Sequence, residues 1–282
     1  MTTLISIMKT SGQIESELNY IKPDSTLAPE VFYSGGSAPQ TYNDAYAFMP
    51  ATIDDARSSQ ETISVHKQGF ELVKAPTEHK DFTDEKAIAA SYYDEVIAII
   101  KAATGVKDVF VFDHTVRHGS TNSSRKPAHH VHNDYTEQTA QSRAEERIGA
   151  EQFAQLKDRR MIQINVSRPL VDVVQRSPLA FCDATSVNQE DLLVSRIHFP
   201  DTDHVGEIYA LRKAAEQKWV YFSEMTHDEV VLIKGFDSDN DGVARFTPHT
   251  AFEYPDQDPT IGPRASIEVR RSRKREVELY ES

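Results

Sequence analysis

The sequence predicts a mainly β protein with flanking helices, built as a double sheet or barrel of short strands with a jelly-roll core. Short apolar, β-branched and aromatic stretches recur along most of the chain, separated by turn residues. Only two stretches carry helical character, at 83–105 and 138–158. The side chains able to hold a metal fall on or beside three of the strand candidates, as ligands gathered inside a barrel do.

The elements follow in order. Residues 1–80 are rich in Pro, Ser, Thr and Asn and read as an irregular region with a hairpin near 62–74. A helix follows: Thr83 caps it, Asp84 and Glu85 suit its first turn, and Gly105 ends it. Ile88, Tyr92, Val96, Ile99 and Ile100 give it one apolar stripe, so 81–105 is expected to support the core. Val109–Phe112 reads as a buried strand. Further strands are expected at 129–135, 161–167, 179–182, 192–199, 206–211, 218–223, 229–234, 244–252 and 265–271. The helix near 138–158 has a polar face and suits a surface insertion or lid. A polar tail, 272–282, closes a single domain spanning 1–282, with 106–271 as its core.

Composition narrows the function. A 282-residue chain, 39% hydrophobic, buries a substantial core without staples. A net charge of -13 argues against tracking phosphates on nucleic acid. The basic run 270–275 reads as a solvated strand end. No apolar run approaches the length of a membrane helix, and the N-terminus lacks the apolar centre of a secretory signal. The one cysteine, Cys182, fits a reducing compartment. The expectation is a cytoplasmic protein acting on a small molecule, without nucleic-acid or membrane partners. A homodimer is compatible with the sequence.

The chemistry sits in two patterns. In His132-Asn133-Asp134 the imidazole and carboxylate are two residues apart, and on a strand they share a face. His249, far downstream after Phe246-Thr247-Pro248, supplies a third ligand from another strand. Two histidines and one carboxylate occupy one face of an iron(II) ion and leave three positions open. Arg264 and Ser266 are also two apart, with Ala265, Ile267 and Val269 on the alternate face. A polar strand face turned inward signals a binding cavity, and arginine with serine can clamp a carboxylate.

Other readings of these residues stay open. His130-Val131-His132-Asn133-Asp134 also spells the His-x-His-x-Asp of zinc hydrolases, but Tyr135 stands where a further histidine belongs, and alternating β/α units are missing. His130-x-His132 with Glu137 partly matches a first cupin motif, without its glycines or a second motif. That would give a metal dioxygenase without 2-oxoglutarate. Both leave Arg264-x-Ser266 unexplained. His114, His118, His129, His198, His204 and His227 read as bystanders, although His129 and His130 could line the mouth of the site. Asp237-Ser238-Asp239-Asn240-Asp241-Gly242 begins like a calcium loop, but Pro248 occupies the place of its final glutamate, so a hairpin turn is expected.

Several further stretches carry a family resemblance: Val131–Thr136, Ile164–Leu170, Pro178–Asp183, Lys218–Phe222, Pro248–Phe252 and Pro263–Arg270. Together, and in this order, they resemble the group containing fungal gibberellin desaturase, the AsaB-type hydroxylase/desaturases and the CmcJ-type cephamycin methoxylation protein. The resemblance runs from about residue 60 to 271. It implies the jelly-roll fold of the 2-oxoglutarate oxygenases and an enzyme of secondary metabolism using iron(II), 2-oxoglutarate and dioxygen. The implied reaction takes hydrogen from an unactivated C–H bond, giving hydroxylation, desaturation or ring closure. Carried over, His132, Asp134 and His249 would bind iron, and Arg264 with Ser266 would bind 2-oxoglutarate. Asn165, Arg168, Trp219 and Tyr221 match recurrent positions; His130, Asn165, Arg168 and Tyr221 are the candidate substrate contacts. One departure is that Ser167 stands where the family usually has an aromatic residue, which would reshape the pocket. A non-catalytic member acting as a binding or partner protein is the competing expectation.

Overall fold

The structure is a computed structural model that describes residues 12–33, 40–59, 61–117, 128–156, 158–199, 204–262 and 264–269. The basic run 270–275, the polar tail, Pro263 and His118 lie outside the described residues.

Two sheets make the core. Their strands are β1 (Gln13–Ile21), β2 (Glu30–Phe32), β3 (Thr41–Tyr42), β4 (Tyr46–Asp55), β5 (Phe70–Lys74), β6 (His114–Arg117), β7 (His132–Asn133), β8 (Ile162–Pro169), β9 (Leu179–Cys182), β10 (Leu192–Phe199), β11 (His204–Leu211), β12 (Trp219–Tyr221), β13 (Glu229–Asp237), β14 (His249–Ala251) and β15 (Ser266–Val269). The larger sheet runs β1-β4-β12-β9-β14-β7-β11-β10-β2-β3 and the smaller β5-β13-β8-β15-β6. The pairs are antiparallel except β2–β10 and β4–β12.

Strand alternation divides each sheet into two faces. On the smaller sheet, Val166, Val230, Leu232, Ile267 and Val269 pack against Ile88, Tyr92 and Val96 of the preceding helical segment. That segment comprises α1 (Glu85–Ala87), a π-turn (Ile88–Tyr92) and α2 (Tyr93–Thr104), closed by Gly105 in the left-handed region at φ 71°. Each fully buried apolar side chain there contributes about 1.5–3 kcal/mol. The opposite face brings Phe70, Val231 and Ile233 against Phe181 of the larger sheet and Phe222 just after β12, which defines the interior. The outer face of the larger sheet buries Ala180, Cys182, Trp219 and Phe252 with Tyr20 and Ile53 of the β1–β4 pair.

Several expectations change. The N-terminal region is not irregular throughout: β1 and β4 pair over nine positions, from Gln13↔Asp54 to Ile21↔Tyr46. Their alternation is broken by polar residues on covered faces, such as buried Asn19. The hairpin near 62–74 does not form; β5 pairs with β13 instead. Val109–Phe112 is not a strand, and Phe110 is exposed. Asp84, not Thr83, caps the first helix, accepting from the amides of Lys86 and Ala87. The second helical stretch splits at Gly149 into α3 (Glu137–Ile148) and α4 (Ala150–Leu156). The turn after Asp237 joins two sheets rather than closing a hairpin. It is also no calcium loop, because the Asp237 carboxylate takes two hydrogen bonds from Arg160, at 2.9 and 2.7 Å, and one from Lys234 at 2.8 Å.

Candidate active site

The strands that carry His132 and His249, the candidate ligands, lie side by side in the larger sheet. His249 of β14 is the register partner of His132 of β7 and, on its other side, of Phe181 of β9. Register partners point the same way, so both imidazoles share the interior face with Phe181. Their ring centroids are 4.7 Å apart. Asp134 follows β7 directly, with Oδ1 3.6 Å from His132 Nε2. One ligand atom from each of His132, Asp134 and His249 falls within 4.8 Å of the others.

Backbone contacts fix the imidazoles in a ligating orientation. His132 Nδ1 lies 2.8 Å from the His130 carbonyl, and His249 Nδ1 lies 2.9 Å from the Thr247 carbonyl. A carbonyl only accepts, so each Nδ1 carries the proton and each Nε2 presents a lone pair. A metal-binding histidine needs this tautomer. Asn165 of β8 donates a long hydrogen bond, 3.4 Å, to Asp134 Oδ2, the oxygen turned away from His132.

Asn133 secures the pair of strands. It points away from the metal face and is fully buried. Its amide donates to the carbonyls of Tyr135 at 2.7 Å and Gly235 at 2.8 Å, and its oxygen accepts from the Thr247 amide at 2.9 Å. The residue between two ligands thus ties β7 to β13 and to the approach of β14. Sequence reasoning assigned it no role; the signal was a polar residue at the outward position of a ligand strand. Tyr135 packs on Gly235, where an added Cβ would stand 2.8 Å from its ring. It occupies the place where a zinc hydrolase needs a histidine.

Arg264 and Ser266 are both buried. They line a small cavity with Ser167, Leu179, Phe222 and Val231. Leu179 is two residues from Phe181 on β9, so the cavity begins roughly 7 Å along the strand from the position that pairs with His249. The Ser266 hydroxyl has no hydrogen-bond partner among the described residues, nor has Asn165 Oδ1. Buried polar atoms are rarely left so, and a bound polar ligand would satisfy them. Ser167 of β8, at the position where the resemblance expects an aromatic residue, lines this cavity with a small side chain.

The four candidate substrate contacts separate. Asn165 reaches the triad. His130 stacks on His132 at 4.5 Å and 24°, beside Tyr42 and Tyr46. Both its ring nitrogens are buried without a partner among the described residues. Burial, then the neighbouring imidazole of His132, holds it well below the usual histidine range, so it is neutral. Arg168 is not brought to the site. It faces the helical layer, where Nε donates to the Tyr92 hydroxyl at 2.8 Å and Nη1 to the carbonyls of Ala75 and His227, each at 2.7 Å. Alternation decides this, because Asn165 and Ser167 take the interior face of β8 and leave the other to Arg168. Tyr221 is also turned away. Its partner is Ala180, which faces opposite to Phe181, and its ring packs on Phe252 at 5.5 Å.

Comparison with known proteins agrees with this geometry. A family model described as "Oxidoreductase/YMDC permease-like domain" matches residues 18–272. The hydroxylase/desaturase efuI of Hormonema carpetanum is 33% identical, over 92% of this chain and 94% of its own. The Fe(II)/2-oxoglutarate-dependent dioxygenase nvfI of Aspergillus novofumigatus is 29% identical over 91% of this chain and 95% of its own. A solved structure of the iron and alpha-ketoglutarate-dependent endoperoxidase NvfI superposes with a TM-score of 0.80, at 26% identity, covering 92% of this chain and 96% of that one. The span of the family model includes the strands that carry His132, His249 and Ser266. The jelly-roll expected from the sequence is therefore the fold, and the chain belongs to the hydroxylase/desaturase family of Fe(II)/2-oxoglutarate-dependent oxygenases, using iron(II), 2-oxoglutarate and dioxygen.

Proposed function

We propose that His132, Asp134 and His249 hold the iron(II), that Arg264 and Ser266 hold the far carboxylate of 2-oxoglutarate, and that His130 and Asn165 face the substrate side of the site. The observation that carries this is the paired tautomer. Two imidazoles spend Nδ1 on backbone carbonyls, and one ligand atom from each lies within 4.8 Å of the other and of the Asp134 carboxylate.

Iron held there by His132, Asp134 and His249 would supply oxygen activation, coupled to conversion of 2-oxoglutarate to succinate and carbon dioxide, and with it the oxidising power that an unactivated C–H bond demands. The chain's own residues do the rest. Arg264 offers a fork of donors that matches a carboxylate, and Ser266 adds one donor. Asn165 holds Asp134 by one oxygen and leaves the other turned toward His132. Phe70, Phe181 and Phe222 keep water from the interior wall beside the ligands. His130 is neutral and caged by aromatic rings, and it can make one hydrogen bond to a carbonyl or hydroxyl of a largely apolar small molecule. Hydroxylation, desaturation or ring closure then depends on where that contact sets the C–H bond.

The test uses protein purified without oxygen and loaded with iron(II), with succinate formation followed in the presence of candidate terpenoid, polyketide and peptide-derived substrates. His132→Ala and Asp134→Ala should each abolish turnover. Full activity in both would remove the iron assignment.

A further inference from the structure

The interior face of β15 carries one more charged side chain than a carboxylate clamp requires. Glu268 lies two residues beyond Ser266, opposite Ser167 of β8, and is only 4% exposed. Its carboxylate meets the Arg117 guanidinium at 3.0 Å. Arg117 is the register partner of Ser266 across the β15–β6 ladder, so its side chain leaves the sheet on the same side as the hydroxyl. Arg264 therefore flanks Ser266 from the segment leading into β15, and Arg117 flanks it from the neighbouring strand. A buried ion pair adds little stability, because desolvating both charges offsets their attraction, and apolar residues fill such space as well. Val231 and Leu179 do so in the adjoining wall. The pair's position beside the ligand-binding hydroxyl accounts for it better than stability does.

The chemistry of the co-substrate gives the pair a role. When dioxygen drives the decarboxylation of 2-oxoglutarate, the carboxylate next to the ketone leaves as carbon dioxide, the keto carbon becomes a carboxylate, and succinate keeps the far carboxylate. Any group that grips the co-substrate there also grips the product. Two arginines beside Ser266 would hold both strongly in a buried, low-dielectric wall. With Glu268 present, Arg264, Arg117 and Glu268 together carry one net positive charge. That charge, with iron(II), balances Asp134 and the doubly charged keto-acid. We propose that Arg117 and Glu268 belong to the co-substrate site: Arg117 is a second counter-charge for the far carboxylate, and Glu268 weakens it so that succinate can leave. The proposal rests on the assignment of Arg264 and Ser266.

Titration calorimetry of 2-oxoglutarate and of succinate into manganese(II)-loaded protein, without oxygen, tests it directly. Glu268→Gln should tighten both ligands about three- to tenfold, with kcat falling as succinate release slows. Arg117→Gln should weaken both about tenfold or more. An unchanged or weaker affinity in Glu268→Gln overturns the proposal, because a purely structural pair predicts that result. Arg117→Gln removes the charge that faces the buried Glu268 carboxylate; if it does not fold, Glu268→Gln decides. Arg264→Lys runs in parallel. If it leaves 2-oxoglutarate affinity unchanged, the clamp assignment falls and this proposal with it. If it weakens binding while Glu268→Gln does not tighten it, only the Arg117–Glu268 proposal falls.

Discussion

The two faces of strand β8 carry polar residues to opposite ends. On the outer face Arg168 is fully buried, and its hydrogen bonds go to Tyr92, Ala75 and His227. On the inner face Asn165 makes one long contact to Asp134, and its oxygen has no partner among the described residues. Ser266, across the ladder on that inner side, also has an unspent hydroxyl. The difference separates polar residues that hold the fold from polar residues that await a ligand. Arg168 joins the smaller sheet to its helix and to two loops. Asn165 and Ser266 lie where iron(II) and 2-oxoglutarate are proposed to sit.

Substitutions can break this contrast, and the largest effect belongs to the metal ligands. His249→Ala should leave the thermal midpoint of the metal-free protein within a few degrees of wild type, while turnover falls below detection. Calorimetric scanning beside a succinate assay checks both. Arg168→Leu should do the reverse. It strands the Tyr92 hydroxyl and two carbonyls and should cost about 3 kcal/mol or more of stability. The protein that remains folded should bind 2-oxoglutarate as wild type does. Denaturant unfolding, with binding measured on the folded fraction, separates the two quantities.

Smaller effects sharpen the same line. Arg264→Lys keeps the charge but loses the fork, and should raise the KM for 2-oxoglutarate about ten- to a hundredfold, with kcat at saturation less affected. Ser266→Ala removes a single donor and should raise that KM only several-fold, in line with about 1 kcal/mol for one hydrogen bond. Neither should alter the unfolding midpoint as Arg168→Leu does. If Ser266→Ala destabilises the protein as much as Arg168→Leu, the division between the two faces is not real.

Much of the candidate site was legible in the sequence, for a geometric reason. The side-chain period of a strand is two, so His132-x-Asp134 and Arg264-x-Ser266 announce shared faces without any knowledge of the fold. The helix over 85–104 was equally plain from its stripe and from Gly105. Less legible was anything depending on which face of a strand turns inward. Arg168 and Tyr221 lie in the right strands but on the wrong side, and a motif match cannot show that. The pairing of β1 with β4 was hidden because their contacts are distant in sequence and polar residues such as Asn19 lie on covered faces. Asn133 was overlooked because its partners, Gly235 and Thr247, come from more than a hundred residues downstream. Glu268 reads as an ordinary charged strand residue until its register with Ser167 shows it facing inward.

The central claim is that the interior triad and the Arg264–Ser266 clamp together hold iron(II) and 2-oxoglutarate. The most direct measurement is anoxic visible spectroscopy of the protein titrated with iron(II) and then with 2-oxoglutarate. The account predicts that the charge-transfer band of a chelated keto-acid on iron(II) appears in wild type. It should be absent from His132→Ala and need much more 2-oxoglutarate in Arg264→Lys. A wild-type protein that shows no such band with both added, or a His132→Ala variant that shows it unchanged, would contradict the account.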